Sequence, residues 1–374
     1  MNIHIALIGG QVYPAYLGIA DQQPDVVILV HSNNTKNEAE RIRSEFPNRY
    51  IQLIEFNPVD IERIFRQTRD LLSKVNAESI YTINVTGGTK LWTIAFYECF
   101  KKLDNARLMY IDQNNRIYDL STMNSRLSTV QLNMDLLFRL NGTTVKSYTD
   151  YSEYTTEDLN CLRQIKSLRK CSYQLFNTMS IPNNVHILDP KEGALSFHTK
   201  DSGTLSWNKT NQCITVEMTT QKGKRRETLI SPHVFDLFFY TGWFEYEVAR
   251  ILSKWEYAKE IRLNVCFPYQ TDDKAKNEID IIVNTGNRLL FVECKTQIFS
   301  ITDVDKFRTA VKNYGGMGCK SLFITEAKMK PNAAEKCWDS GILSFSMNDC
   351  SSNFQPSEML YTMLEQELFE INKK

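Results

Sequence analysis

Three carboxylates and an amine, Glu278, Asp280, Glu293 and Lys295, gather in "NEIDIIVNTGNRLLFVECKT", residues 277–296, within two otherwise apolar runs around Gly286-Asn287. If those two residues form a tight turn, the runs become an antiparallel hairpin in which Asp280 faces Glu293 and Glu278 faces Lys295. Side chains alternate along strands, so the four groups meet at one corner. Carboxylates set opposite each other repel and destabilise the fold. A hard divalent cation, Mg²⁺ or Mn²⁺, would compensate, since it takes oxygen ligands and leaves positions for water and phosphate. Such an ion polarises a phosphodiester and activates bound water, while Lys295 could offset charge building on the phosphorane oxygens. Phosphodiester hydrolysis is the chemistry that suits this set. The spacing alone also allows a plain strand end, with Glu278 and Lys295 paired in solvent and Asp280 and Glu293 exposed.

The elements around this hairpin must hold the corner. A helical pattern, "HVFDLFFYTGWFEYEVARILSKW", precedes it; a helix near 303–314, the strand "KSLFIT", a helix near 331–340 and the strand "ILSFSM" follow. In that setting "EID" and "VECK" resemble the D-x(n)-E-x-K signature of PD-(D/E)xK restriction-endonuclease-like nucleases, with twelve residues between Asp280 and Glu293. Ile279 stands where many members have proline. The resemblance implies that Asp280 and Glu293 bind metal and that Lys295 assists catalysis. It also implies an acidic residue from the preceding helix. Glu245 has Gly242, Val248, Ala249 and Leu252 as helical neighbours and so lies on the buried side, making it the expected third metal ligand or water-positioning group. Gln297 continues the face of Lys295 toward substrate or solvent.

The first ~120 residues alternate short apolar runs ("IHIALIG", "VVILVHS", "YIQLIEF", "SIYTINV", "RLMYID") with amphipathic segments, an α/β layout. In "YTINVTGGTKLW" a strand ends at Val85 and a helix follows. Thr86, Gly87, Gly88, Thr89 and Lys90 then offer backbone N–H groups and a cation at a helix N-terminus, which suits an anion; glycines serving only a tight turn are the structural alternative. Neither a Walker loop nor G-x-G-x-x-G can be drawn through it. Gly9, Gly10 and Gln11 follow the first strand, and Ser32, Asn33 and Asn34 the second. Ligands of open α/β sheets bind beyond strand carboxyl ends, so these loops are expected to share one pocket.

The N-x-TGGTK turn joined to "GWFE", "EID" and "ECK" resembles the CRISPR-associated Rossmann-fold (CARF) ancillary nucleases of type III immunity, over nearly the whole chain. That resemblance implies an N-terminal Rossmann-like CARF domain at 1–122, a partly helical connector at 123–185 and a restriction-endonuclease-like α/β domain at 186–374. It further implies a homodimer that binds cyclic oligoadenylate, usually the tetra-adenylate, across its twofold axis through Gly87 to Lys90, with looser matches at Gly10, Gln11 and Ser32 to Asn34. Binding would switch on cleavage of single-stranded DNA or RNA with Mn²⁺ or Mg²⁺. A nucleotide-sensing regulatory module with an inactive nuclease-like domain is the alternative, and a constitutive nuclease with an inert N-terminal domain a third.

Composition narrows the rest. Forty-four basic and forty-four acidic residues cancel, so nucleic-acid binding must rest on local patches such as "QKGKRRETL" (Lys222 to Arg226) or Arg163, Lys166, Arg169 and Lys170. Nine scattered cysteines without a CxxC pair read as reduced thiols, and His4, His31, His186, His198 and His233 show no ligand or triad spacing. No signal peptide or membrane-length apolar run is visible, so a soluble cytoplasmic protein is expected.

Overall fold

The computed structural model describes residues 1–181, 185–221, 223–269, 275–286, 288–296, 301–316, 318–348 and 355–369. Gln297 and Lys222 lie outside them. Two compact units result: Met1–Val145 with Asn284–Leu290 and Thr309–Lys320, and Lys146–Val283 with Phe291–Arg308 and Ser321–Lys374.

The first unit is built on β1 (Asn2–Leu7), β2 (Val26–His31), β3 (Tyr50–Glu55), β4 (Ile80–Asn84), β5 (Ala106–Ile111), β6 (Arg116–Asp119) and β7 (Ser125–Leu127). Their order is β3-β2-β1-β4-β5-β6-β7, parallel through β5 and antiparallel beyond. Parallel strands are covered on both faces, which is why the core runs of β1 and β2 are nearly continuous apolar residues. Helices Tyr13–Gln22, Lys36–Ser44, Ile61–Leu72 and Lys90–Phe100 supply the crossovers. Phe56, Trp92, Phe96 and Phe100 are buried beside β1 and β4. The chain leaves β1 toward β2 in one direction and later fills β4 and β5 in the other. The carboxyl ends of β1 and β4 therefore flank a topological switch point.

The second unit holds two sheets. An antiparallel meander contains β9 (Glu192–His198), β10 (Ser202–Asn208), β11 (Cys213–Thr220) and β12 (Gly223–Ile230). The other sheet, ordered β17-β16-β15-β14-β13-β8, joins β8 (Ser147–Asp150), β13 (Glu260–Pro268), β14 (Ala275–Asn284), β15 (Leu289–Lys295), β16 (Lys320–Thr325) and β17 (Leu343–Ser346). Helices Thr156–Cys171, Tyr173–Ser180 and Gly242–Leu252 belong to the same unit. Ile279, Ile281, Ile282, Phe291, Val292 and Cys294 are all buried, so both faces of the central hairpin are covered.

The stretch expected as a connector, 123–185, is divided between the units. β7 and the helix Met134–Asn141 belong to the first, while β8 and the helices from Thr156 belong to the second. Among the described residues no helix is long and apolar enough to cross a membrane.

Candidate active site and sensor turn

β14 and β15 are neighbours, and the Thr285 N–H donates to the Arg288 carbonyl at 3.0 Å; Asn287 of the expected Gly286-Asn287 turn lies outside the described residues. At the open end the Cys294 N–H donates to Asp280 Oδ2 at 2.7 Å. Lys295 Nζ lies 2.6 Å from Glu293 Oε1 and 3.7 Å from Asp280 Oδ2. Lys295 thus pairs with Glu293 and Asp280; among the described residues it makes no ion pair with Glu278, the pairing that a plain strand end would have had. Glu278 is exposed and lines the cavity.

Glu245 comes from the first turn of Gly242–Leu252, where a carboxylate also meets the positive end of the helix dipole. Trp243, Phe244, Val248 and Ala249 anchor that helix in the core. Its entry is tight. Tyr240 and Thr241 both have left-handed φ, 51° and 72°, and a Cβ on Gly242 would stand 1.9 Å from the Asp236 carbonyl oxygen. Glu245, Glu278, Asp280 and Lys295 line one cavity of about 760 Å³.

Charge in this corner is unbalanced. Burial first, then Asp280, pushes the Glu245 carboxyl well above its usual range. Burial also raises Asp280, against the opposing pull of Lys295 and the Cys294 N–H. Glu293 is pushed up to about 7 by burial and by Asp280. Burial alone would lower the Lys295 ammonium, but Asp280 and Glu293 outweigh it and hold it above the ordinary lysine value. One ammonium faces several carboxylates, all oxygen donors, and that donor set fits a hard divalent cation. Among the described residues no three His, Cys, Asp or Glu side chains are already drawn together as ligands.

The sensor turn lies at the switch point. A Cβ on Gly87 would stand 2.2 Å from the Leu7 carbonyl oxygen, so only glycine lets the end of β4 approach the end of β1 this closely. Gly88 has φ +75° and packs its Cα side against Trp92. The threonine hydroxyls have partners within the chain. Thr86 Oγ1 donates to Asn84 Oδ1 at 2.6 Å and accepts from the Ile111 N–H at 2.8 Å, while Thr89 Oγ1 caps the helix by accepting from the Trp92 N–H. Lys90, Gly10 and Gln11 are exposed.

The first loop meets the glycine turn, where a Cβ on Gly9 would stand 3.0 Å from the Gly88 nitrogen. Ser32 is buried in a reciprocal cap with Thr35, and Ser32, Asn33 and Asn34 line a cavity of about 140 Å³ with Asn57 and Arg63. Gln11 lines another of about 230 Å³ with Asp112 and Asn115. Thr86 to Lys90 line neither of these two cavities.

Residues 3–136 match the family model of the Card1 CARF domain, and residues 236–333 match that of the Card1-like endonuclease domain. The chain joins a CARF domain to a Card1-like endonuclease domain. No curated protein matches it. Among solved structures it is similar to Can2 from Sulfobacillus thermosulfidooxidans in complex with cyclic tetra-adenylate, at 17% identity and a TM-score of 0.67 over 98% of this chain and 99% of that one. Protein VC1899 from Vibrio cholerae is similar at 14% identity and a TM-score of 0.71, over 98% of each chain. A type III CRISPR defence DNA nuclease activated by cyclic oligoadenylate is similar at 16% identity and a TM-score of 0.61, over 97% of this chain and 51% of that one. At these identities the likeness is one of fold.

Within the endonuclease half, the basic tip is not at the cavity. Lys209, Gln212, Pro232, His233, Phe235 and Asp236 line it, whereas Lys224 and Arg226 lie about 20 and 13 Å along β12 from its end at Ile230. Arg225 and Arg226 are moreover paired with Glu227 and Glu217. Lys209, His233 and Asp236 line the cavity without having been singled out as site residues, because segments distant in sequence bring them there.

Proposed function

We propose that this chain is a nuclease of type III CRISPR defence, switched on by a cyclic oligoadenylate, with cyclic tetra-adenylate the first candidate. It would cut single-stranded DNA or RNA using Mn²⁺ or Mg²⁺. The observation that carries this reading is the carboxylate and lysine corner of β14 and β15, lying inside the segment matched as a Card1-like endonuclease domain. The glycine turn at the switch point of the CARF domain supports the sensing half.

Asp280, Glu293 and Glu245 would hold the metal, which when bound supplies Lewis-acid polarisation of the phosphate and a more acidic water. The Cys294 N–H keeps Asp280 aimed, leaving its other oxygen for that task. Lys295 lies close enough to both strand carboxylates to move between neutralising them and meeting the negative phosphorane oxygens. Carboxyls raised by burial can take a proton from an attacking water.

On the sensing side, Gly87 and Gly88 bring backbone N–H groups to the surface beside exposed Lys90. Two such turns facing each other across a homodimer would match a symmetric ring of phosphates. Incubating purified protein with labelled single-stranded DNA and RNA tests the reading. Cleavage should require both the cyclic oligonucleotide and the divalent metal; degradation of neither strand under any combination would refute it.

A further inference from the structure

The cavity that holds the acidic corner is also lined by basic side chains. His233 and Lys209 line it together with Glu245, Glu278, Asp280 and Lys295. His233 is fixed from behind by Asp158, a fully buried carboxylate on the helix Thr156–Cys171. Asp158 Oδ2 lies 3.1 Å from His233 Nδ1, and its Oδ1 accepts the His233 backbone N–H at 3.2 Å. The Thr155 N–H adds a third bond at 2.8 Å. Burial would raise Asp158, yet these donors hold it below its ordinary value, so a buried negative charge faces the imidazole. His233 is the basic side chain paired with it. The Tyr154 ring lies 4.4 Å from the imidazole centroid and limits its rotation.

With Nδ1 committed to Asp158, Nε2 is the nitrogen left for the cavity. The carboxylate behind Nδ1 fixes the orientation of the ring, so Nε2 is presented in one direction. Lys209 lines the same cavity, its Nζ 3.3 Å from the Asp189 carbonyl oxygen. Asp236 and Glu278 line the same cavity as His233, Lys209 and Asp280. A polyanion entering an acid-lined cavity needs cations beyond the reacting phosphate. His233 and Lys209 share the cavity with Asp280, so a strand bound there has linkages beside the one cut within the same cavity.

We propose that His233, positioned by Asp158 and assisted by Lys209, forms a subsite for a backbone phosphate adjacent to the scissile one. The subsite rests on the nuclease reading given above. Its residues come from 158, 209 and 233, outside the strand pair that carries the acidic corner.

Single methylphosphonate linkages, which remove one phosphate charge each, test it in a labelled single strand cut by the activated, metal-loaded protein. The wild type should lose cleavage at the neutral linkage and also, about tenfold, at one bond a fixed offset away. His233→Gln should cut with that second suppression gone, and Lys209→Met, a change on a surface turn, should weaken it. Unchanged offset suppression in both variants overturns the subsite, as does its absence in the wild type. Strand binding by fluorescence anisotropy, in an Asp280→Asn background, separates this from the nuclease reading: His233→Gln should lower affinity about tenfold. Weaker binding by that variant alongside a wild type that never cuts would sink the nuclease reading and keep the subsite, whereas equal affinity would overturn the subsite.

Discussion

Lys295 Nζ lies 2.6 Å from Glu293 Oε1, on the same strand and two residues away, with Asp280 next on the partner strand. The amine therefore serves the carboxylates while no substrate is present. Replacing it with methionine removes the one ammonium of the corner. Lys295→Met should reduce the cleavage rate by about a hundredfold or more, as loss of a transition-state charge partner typically does. Single-turnover kinetics at saturating activator check this, and a loss under threefold would exclude Lys295 from the chemistry.

The Glu293 carboxyl gives a pH signature in the metal-free protein. Its value rises from 4.5 to about 7 on folding, by burial and then by Asp280. Below 4.5 both folded and unfolded chains hold the proton. Between there and about 7 the unfolded chain has released a proton that the folded chain keeps, so stability falls as pH rises through this window. Thermal midpoints with a chelator present should decline from pH 5 to 7.5, and Glu293→Gln should flatten the decline. Added Mn²⁺ should raise the midpoint more at pH 7.5 than at pH 5, because it competes with protons for the same oxygens. A metal effect independent of pH would argue against carboxylate ligation.

The sensor turn separates two roles that its sequence fuses. Gly87→Ala places a methyl 2.2 Å from the Leu7 carbonyl oxygen and should destabilise the CARF domain by about 3 kcal/mol. Lys90→Ala, at an exposed first helical position, should leave the thermal midpoint unchanged and weaken cyclic tetra-adenylate binding about tenfold. Calorimetry on the folded Lys90 variant decides this, and unaltered affinity removes Lys90 from the ligand site.

Arg226 pairs with Glu217 across the meander, on the side away from the cavity turn. Arg226→Ala should therefore change the cleavage rate by less than twofold, as expected of an exposed ion pair remote from the site. A tenfold loss in a plate-based cleavage assay would return the basic tip to substrate binding.

Much of this was legible in the sequence, and the limits have physical causes. The hairpin announced itself because alternation and a Gly-Asn turn are local, so opposed carboxylates could be counted off residue numbers. Glu245 was found because its helix declares an apolar face. Which carboxylates Lys295 pairs with is not contained in strand register alone: its long side chain reaches Glu293 and Asp280, where burial makes charge compensation worth more. The partners of Thr86 and Thr89, namely Ile111, Asn84 and Trp92, are ones that only the folded β4–β5 edge and helix cap reveal. The buried Asp158 lies 75 residues from His233, so no spacing rule could link them.

One assay bears on the central claim most directly. Purified protein is incubated with single-stranded DNA or RNA, with and without cyclic tetra-adenylate and with and without Mn²⁺, beside the Asp280→Asn variant. The account predicts cleavage only when activator and metal are both present, and none by the variant. Equal cleavage without the cyclic oligonucleotide, or full activity in Asp280→Asn, would contradict it.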